Sequence, residues 1–389
     1  MRAIAVIDGE HYPPVVRDAL AALPYEVVGA LLVGGVEKLR GDDDWGVPLV
    51  SELSDVNADL VVDVSDEPVL GPAARFALAS RALALGLPYV GADFRLDPPR
   101  FHRFDLPSLA VIGTGKRVGK TAVAGHVARL LSRELRTVVV AMGRGGPATP
   151  ELVETPPTVA DLLVRSRSGE HAASDFLETA ALSGVPTVGC RRAGGGLAGQ
   201  VFDSNVLEGA ALARSLDPEV VVFDGSGAAV PPIAVDARVL VAGEGHDLAA
   251  YLNPFRVLIS DVIVLVGNAE VPAAVDRPIV RVTLRLRPAG ELSGRVAVFT
   301  TGEAPIDHLD ADIVHVSRAL ADRTRLHKEL ERVEADTFVV EVKAAAIDVV
   351  AEAADARGAT VVLADNEVVP VEGDLDEEVL RLVPVGAEA

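Results

Sequence analysis

A loop rich in glycine and lysine is the first feature of this sequence whose residue types and spacing predict chemistry. The apolar run from Ser108 to Ile112 precedes it and a segment of helical period follows it, which is the context that a phosphate-binding loop requires. The backbone N–H groups of such a loop, with a helix N-terminus behind them, form a nest for phosphate oxygens. The loop consists of Gly113, Thr114, Gly115, Lys116, Arg117, Val118, Gly119, Lys120 and Thr121.

Individual side chains of this loop have distinct expected roles. Its geometry predicts that Lys120 reaches the β- and γ-phosphates of a nucleotide and that the Thr121 hydroxyl completes the coordination of Mg²⁺. The alternative is a plain turn whose glycines relieve backbone strain and whose basic residues are solvated. Only five lysines occur in the chain, at positions 38, 116, 120, 328 and 343, and two of them fall inside this loop. That enrichment favours the functional interpretation.

The spacing departs from the common Gly-x₄-Gly-Lys-Thr pattern, because Thr114 stands where that pattern has glycine. The form Gly-Thr-x-x-x-Val-Gly-Lys-Thr resembles the dethiobiotin synthetase branch of the P-loop NTPases, in the superclass that also contains division-site ATPases of the MinD type. That superclass often has a second lysine at the position that Gly115 occupies here. Lys116 follows one residue later, and whether it takes over that role is left open.

An aspartate at the end of a strand is the candidate metal ligand. Asp224 follows the apolar run Val220 to Phe223 and precedes Gly225-Ser226-Gly227. Parallel strands bring their carboxyl ends beside the phosphate loop, where Mg²⁺ needs a carboxylate. The alternative is an aspartate that opens an Asx-turn. The upstream loop favours the metal site.

Arginines in glycine-rich loops predict a second anion site. Arg144 lies in Gly143-Arg144-Gly145-Gly146, one βα unit after the phosphate loop, and Arg191 and Arg192 precede Ala193, Gly194 and Gly195. Guanidinium groups suit multiply charged phosphate esters. Arg285 and Arg287 form a third cluster, for which anion binding and an ordinary surface position are equally open.

Strand ends near the start of the chain carry a further polar cluster. Asp8, Glu10 and His11 occur in the run Asp-Gly-Glu-His-Tyr-Pro-Pro. Glu10 and His11 are candidates for orienting a substrate or an ion. The alternative is that Asp8 and Glu10 cap the following helix and that His11 is a turn residue.

The elements that must position these residues belong to an α/β protein. Runs rich in Val, Ile and Leu alternate with Ala-rich segments of helical period, the pattern of a mostly parallel sheet buried on both faces. We expect a smaller Rossmann-like α/β domain at 1–106, a P-loop NTPase core at 107–290, and an α/β region at 291–389 that is either a third domain or an extension of the core sheet.

Composition excludes several classes of function. The 389 residues include 57 Asp and Glu against 36 Lys and Arg, a net charge of −21, which disfavours generic binding to nucleic acid or to anionic membranes. One cysteine, Cys190, cannot form an internal disulfide. No apolar run reaches transmembrane or signal-peptide length. A cytoplasmic protein is expected.

The sequence resembles the cyclic 2,3-diphosphoglycerate synthetase family. The resemblance rests on Asp8-Gly9-Glu10-His11-Tyr12-Pro13-Pro14-Val15, the loop Gly113 to Thr121, Gly143-Arg144-Gly145-Gly146-Pro147, and Arg191-Arg192-Ala193-Gly194-Gly195-Gly196, in the same order. It implies the ATP-dependent closure of 2,3-diphosphoglycerate into an internal phosphoanhydride with release of ADP and phosphate, using Mg²⁺ and K⁺. Lys120, Lys116 and Arg144 would then be catalytic, and a homodimer is expected in this superclass.

Two other functions remain open from the sequence. A ligase similar to dethiobiotin synthetase would use the same loop with a carboxylate or amine substrate. A MinD-like switch would use it to gate the binding of a protein partner, and such switches often carry a membrane-binding tail. The acidic run Asp374 to Leu382 disfavours membrane docking.

Overall fold

Hydrophobic strands alternate with helices along the chain, and the predicted α/β class is confirmed. The computed structural model describes residues 1–35, 37–41, 43–270, 275–303 and 305–383. The chain divides into two units. The first is mainly Met1–Arg100 with Asp247–Ile259, and the second comprises Phe101–His246, Ser260–Glu270 and the chain from Asp276 onward. The three-domain division stays a prediction.

The first unit is a twisted parallel sheet with helices. Both long helices begin at proline, which is preorganised for the first turn. Among the described residues, six strands form its sheet, in the spatial order Leu49–Val50, Glu26–Leu32, Arg2–Ile7, Leu60–Asp63, Tyr89–Val90 and Arg95–Leu96. Its helices are Pro13–Ala22, Pro72–Ala84 and Asn253–Leu258. All strand pairs except the last are parallel, so the expected Rossmann-like order is present.

A later segment of the chain completes the first unit. The helix Asn253–Leu258 packs against Pro72–Ala84, although it lies far along the sequence, within the range expected for the core. Local periodicity does not reveal such a return, because the two helices are remote in sequence.

The second unit is built on one large sheet. Its central strands Ser108–Gly113 and Val220–Asp224 are buried at every residue, as expected for parallel strands covered on both faces. In the described residues the sheet has 13 strands. Twelve follow the spatial order Glu151–Val153, Thr187–Ala193, Thr137–Gly143, Val220–Asp224, Ser108–Gly113, Ala237–Ala242, Val262–Val266, Ile279–Pro288, Thr360–Glu372, Thr337–Glu341, Arg295–Phe299 and Asp312–Ser317, and Asp203–Ser204 pairs with Thr187–Ala193.

Helices pack on both faces of this sheet. Two short strands, His102–Arg103 and Ile233–Ala234, pair separately. No helix among the described residues is both long and apolar enough to cross a membrane. The helices are Lys120–Leu131, Val159–Arg167, Asp175–Ser183, Val206–Arg214, Arg323–Leu330, Glu352–Asp355 and Leu375–Leu382, with a π-helical turn at Ala346–Ala351.

Besides the short antiparallel strands that pair with Thr187–Ala193, strand direction reverses where the core of this sheet meets its extension. Ile279–Pro288 runs parallel to its core neighbour, whereas Thr360–Glu372 pairs with it antiparallel. Thr337–Glu341 runs parallel to Thr360–Glu372, and Arg295–Phe299 runs parallel to Thr337–Glu341. The strands after residue 290 therefore extend the core sheet but point opposite to Ser108–Gly113. This reversal allows the carboxyl ends of two sets of strands to approach one another.

Candidate active site

The phosphate loop joins a buried strand to a helix, as predicted. The strand is Ser108–Gly113 and the helix is Lys120–Leu131. Gly119, immediately before the helix, has φ +86, a conformation that glycine adopts without strain. Arg117 has φ +60, and non-glycine residues in this region are concentrated at functional sites. The backbone N–H of Thr114 donates to the carbonyl oxygen of Val241 over 3.1 Å and fixes the start of the loop.

Gly115 has a structural reason to lack a side chain. A Cβ at this position would lie 2.2 Å from Cε1 of His246. The signature lysine of MinD-type proteins has no room here while His246 stays in place. Lys116 lines the cavity described below, but its taking over the role of that lysine stays a prediction.

Lys120 and Asp224 form a buried ion pair through Nζ and Oδ1. The exposed fractions of the two side chains are 9% and 1%. Burial raises the pKa of Asp224 to about 6, against the opposing effect of Lys120. Lys120 lines the cavity, and Asp224 holds it from behind. A carboxylate in this place limits where the ammonium group can point.

A cavity of about 660 Å³ lies beside the phosphate loop, within the size range of small-molecule sites. Its wall on the loop side consists of Gly115, Lys116, Arg117, Gly119, Lys120 and Thr121. Its wall on the other side includes Thr301, Glu303, Glu341, Lys343 and Asn366 from the extension of the sheet. Three of the five lysines of the chain therefore meet at one cavity. Sequence reasoning did not assign the residues of the second wall, although the scarcity of lysine could have drawn attention to Lys343.

The predicted metal ligands can be tested against the donors that are present. Thr121 lies on the wall of the cavity and Asp224 lies behind Lys120. Asp175, which the sequence analysis did not select, also lines the cavity. In the described part of the chain no cluster of three or more His, Cys, Asp or Glu residues could hold a metal ion. Mg²⁺ usually takes one or two carboxylates together with substrate phosphates and water, so this oxygen donor set fits Mg²⁺ that arrives with a nucleotide.

Arg144 and Arg192 lie close together at Gly227. A Cβ at Gly227 would lie 2.6 Å from Nη2 of Arg144 and 3.8 Å from Nη2 of Arg192. The Arg192 guanidinium donates to the carbonyl oxygens of Gly194 over 2.7 Å and Ser226 over 2.8 Å. Burial, reinforced by Arg144 and opposed by Asp175, lowers the pKa of Arg192.

Arg144 is the less constrained member of this pair. It lines the cavity, and within the described ranges no ion pair engages it. Asp175 acts on Arg192 from nearby, but among the described residues neither guanidinium forms an ion pair with a carboxylate. Two guanidinium groups held close together repel each other and attract an anion. Arg144 and Arg192 therefore form a suitable clamp for a phosphate.

Arg191 does not join this clamp. It follows Cys190 in the strand Thr187–Ala193, where successive side chains point to opposite faces. Because Arg192 faces Ser226, Arg191 points away from it. Gly194, with φ +67, supplies a carbonyl group to Arg192, and a Cβ at Gly195 would lie 3.4 Å from Nη1 of the same side chain.

The hypothesis of an anion site at Arg285 and Arg287 is not supported by their contacts. Arg285 donates to Glu367 over 2.5 Å, and Arg287 makes a two-pronged contact with Asp365 over 2.7 and 2.8 Å. Their carboxylate partners come from the antiparallel strand Thr360–Glu372. Both arginines are therefore already neutralised.

Glu10 and His11 lie in the first unit, where Asp8 organises their loop. The buried carboxylate of Asp8 accepts hydrogen bonds from the backbone N–H groups of Glu10, His11 and Asp66 and lies 2.9 Å from Nδ1 of His11. Burial tends to raise the pKa of Asp8, but these hydrogen bonds outweigh it and the pKa is lowered. A substrate-binding role for Glu10 and His11 stays a prediction.

Comparisons with known proteins agree along the whole chain. Family models described as cyclic 2,3-diphosphoglycerate synthetase match as N-terminal domain over residues 2–97, P-loop domain over 108–288 and C-terminal domain over 293–367. A cyclic 2,3-diphosphoglycerate synthetase of Rubrobacter xylanophilus is 47% identical, with 98% of this chain and 97% of the relative covered. That of Methanothermus fervidus is 34% identical, with 100% and 98% covered.

Solved structures offer only a distant likeness. LpxK from Aquifex aeolicus, described as an "apo" form in complex with ATP, is 14% identical over 73% of this chain and 90% of that chain, with a TM-score of 0.45. This likeness is too weak to bear on function. The family models and the full-length relatives, by contrast, cover both the phosphate loop and the second wall of the cavity, and the chain belongs to the cyclic 2,3-diphosphoglycerate synthetase family.

Proposed function

We propose that this chain catalyses the ATP-dependent closure of 2,3-diphosphoglycerate to cyclic 2,3-diphosphoglycerate, with release of ADP and phosphate. The observation that carries the proposal is the convergence of Lys116, Lys120, Arg144 and Lys343 on one cavity at the phosphate loop. Such a concentration of cations in a protein of net charge −21 suits a reaction between polyanions. Family membership supplies the substrate.

The reaction needs both a positive clamp and a source of energy. Joining two phosphate esters as an anhydride is uphill and brings like charges together. In the proposal, Lys120 and the backbone of the phosphate loop hold the β- and γ-phosphates of ATP, with Lys116 beside them. Arg144 and Arg192 hold a substrate phosphate, and the carbonyl group of Gly194 orients Arg192. Arg191, Gly195, Glu10 and His11 are further candidates for binding the substrate.

Two displacements at phosphorus account for the products. An oxygen of one substrate phosphate attacks the γ-phosphorus of ATP, and the bond to the β-phosphate oxygen breaks to release ADP. An oxygen of the second substrate phosphate then attacks the first ester phosphorus and displaces the transferred group as inorganic phosphate. No protein nucleophile takes part. A phosphorylated side chain that forms and decays at the rate of turnover would contradict this sequence.

Mg²⁺ and K⁺ belong to the proposal as cofactors. Thr121 and Asp224, with Asp175 nearby on the wall, are the residues that would hold Mg²⁺, and the ion would neutralise charge on the phosphates. Burial of Asp224 behind Lys120 supports a role in keeping that lysine oriented whether or not it also reaches the metal ion. Omission of each cation from the assay tests whether the reaction requires it.

A homodimer in the cytoplasm completes the proposal, and light scattering of the purified protein measures its mass.

The direct test is the ³¹P spectrum of the reaction. Purified protein is incubated with ATP, Mg²⁺, K⁺ and 2,3-diphosphoglycerate, and Lys120→Met is compared with Lys328→Met, an exposed lysine outside the cavity. We expect wild type and Lys328→Met to convert both monoester signals into a cyclic anhydride pair. Lys120→Met should lose at least about 100-fold in rate, because a preorganised charge contact to the transferring group is lost.

Two outcomes would contradict the proposal. ATP hydrolysis with unchanged substrate monoesters would retain the nucleotide site and reject the substrate. Turnover that depends on a carboxylate or amine substrate, or on a protein partner, would favour the ligase or the switch.

A further inference from the structure

The wall opposite the phosphate loop exists because the strands in the extension of the sheet run opposite to those in its core. Strands Thr337–Glu341 and Arg295–Phe299 point opposite to Ser108–Gly113, and the residues that follow their carboxyl ends line the cavity. The cavity is therefore enclosed between the carboxyl ends of two oppositely directed sets of strands. Such strand ends are where α/β sheets usually bind ligands, so both walls have the position of binding surfaces.

Lys343 is the cation of this second wall. It follows Thr337–Glu341 in a tight turn, in which its N–H donates to the carbonyl oxygen of Glu341 over 2.7 Å. The next residue, Ala344, has φ +46, and the π-helical turn Ala346–Ala351 begins two residues later. Positive φ at a non-glycine residue and π-helical turns are both concentrated at functional sites. The strained turn presents Lys343 to the cavity.

A buried carboxylate holds Lys343 from behind. Glu178, on the helix Asp175–Ser183, has a side chain 5% exposed, and its Oε1 lies 3.7 Å from Nζ of Lys343. The Lys343 side chain is 35% exposed, so the ammonium group contacts the carboxylate on one side and the cavity on the other. The arrangement parallels Lys120 and Asp224 on the first wall. Each wall thus has a lysine backed by a buried acid.

The neighbouring carboxylate Glu341 is occupied by other contacts. It accepts hydrogen bonds from the backbone N–H of Thr301 over 2.7 Å, the Thr301 hydroxyl over 3.0 Å and the Asn366 amide over 2.7 Å. These donors offset the negative charge of Glu341. The Coulombic effect of Glu178 raises the pKa of Lys343, against burial. Burial raises the pKa of Glu178 to about 8, against the opposing effect of Lys343, so both members of the pair are charged above that pH.

We propose that Lys343 binds a phosphate group of the phosphorylated acid substrate from the wall opposite Lys120, and that Glu178 is a positioning residue that keeps Lys343 in place. This inference rests on the proposed function. A triphosphate on the phosphate loop uses the first wall, so the second wall is left for the second polyanion. Two phosphates of one substrate must be forced together in the reaction, and a cation on each side of them opposes their repulsion.

Substrate binding without ATP tests this proposal independently of turnover. The dissociation constant of 2,3-diphosphoglycerate is measured by calorimetry for wild type, Lys343→Met, Lys343→Arg and the control Lys328→Met, and that of ADP is measured in parallel. We expect Lys343→Met to weaken substrate binding at least about tenfold, as loss of a charge-assisted contact does, and to leave ADP binding within about twofold. Lys343→Arg should recover part of the loss.

The role of Glu178 needs a readout that loss of structure alone would not change. Glu178→Gln keeps the shape of the side chain and removes its charge, so the two proteins are compared at about pH 9, above the pKa of Glu178. We expect it to raise the KM for 2,3-diphosphoglycerate by about threefold to tenfold while kcat and the KM for ATP stay within about twofold. A fall in thermal stability with an unchanged KM would show a purely structural ion pair and would overturn the positioning role.

The remaining outcomes each decide a separate question. Equal substrate binding by wild type and Lys343→Met, or equal weakening of substrate and ADP, overturns the inference and leaves the proposed function intact. No binding of 2,3-diphosphoglycerate to wild type overturns both. If Lys343→Met does not fold, Lys343→Gln removes the charge in its place, and an unchanged substrate affinity of that variant decides against the inference.

Discussion

At the scale of single residues, the phosphate loop owes its variant form to a neighbour. Gly115 stands where related loops have a lysine, and the ring of His246 occupies the space that a side chain would need. Lys116, Lys120 and Arg144 lie around the same cavity. The absence of a side chain at Gly115 therefore has a local steric reason.

Replacement of Gly115 tests this packing. Gly115→Ala should weaken ATP binding, because the new Cβ would meet His246 at 2.2 Å and one of the two must shift. Overpacking of this kind costs about 1–3 kcal/mol, or about 5- to 150-fold in affinity. The double variant Gly115→Ala/His246→Ala should recover most of the loss, as a double-mutant cycle measured by nucleotide titration can show.

The control for this cycle is another glycine of the cavity. Gly302 lines it, and a Cβ there would meet nothing within 4 Å. Gly302→Ala should leave ATP affinity near the wild-type value. If the double variant binds ATP as weakly as Gly115→Ala, the ring of His246 is not the cause.

At the scale of elements, one strand links the phosphate helix to the extension of the sheet. Thr360–Glu372 pairs with Ile279–Pro288 and carries Asp365, whose carboxylate accepts hydrogen bonds from Arg287 and Arg129. Arg129 belongs to the helix that begins at Lys120. Asp365 therefore connects, through its two ion pairs, the helix of the first wall to the strands that carry the second wall.

Asp365→Asn should destabilise the protein strongly. It would leave Arg129 and Arg287 close together, with side chains only 22% and 31% exposed and no shared carboxylate. Removal of one partner from a buried ion pair costs about 3–5 kcal/mol, which urea unfolding measures directly. Glu367→Gln removes the acid two residues further along the same strand, from the more exposed pair with Arg285, and should cost much less because water screens that pair. Equal losses in the free energy of unfolding for the two variants would contradict this connecting role of Asp365.

At the scale of the whole molecule, the distribution of charge matters more than its total. A protein of net charge −21 repels phosphate compounds at long range, so the cations of the cavity must act over short distances. Each cationic wall is backed by a buried carboxylate, Asp224 or Glu178. This pairing fixes the position of each ammonium group and leaves its outer side available to a ligand.

The accessibility of the Cys190 thiol can be used to measure unfolding of the second unit. Its side chain is fully buried, and burial raises the pKa of the thiol to about 12. The helix Val206–Arg214 covers it so closely that a Cβ at Gly209 would lie 2.1 Å from Sγ. We expect an aromatic disulfide reagent to label the thiol only when the protein unfolds, with a urea midpoint equal to that of the circular dichroism signal. Labelling within minutes in native buffer would contradict this burial.

The sequence by itself determined the parts of this protein that depend on short stretches of chain. The strand before Gly113, the loop itself and the helix from Lys120 follow from local periodicity and from the conformational freedom of Gly119. Asp224 was expected at a strand end for the same reason. The resemblance to a known family also indicated the substrate, because the motifs that carry the resemblance are short contiguous runs of sequence.

Only the tertiary structure decided which distant residues meet. Lys343 and Glu178 lie far apart in the sequence, and no periodicity relates them. Arg287 was an open candidate for anion binding until the antiparallel strand brought Asp365 against it. The physical reason is that neighbours in space decide whether a charged side chain is neutralised or is available to a ligand. In a sheet whose strands reverse direction, strand order sets those neighbours, and distance along the sequence does not.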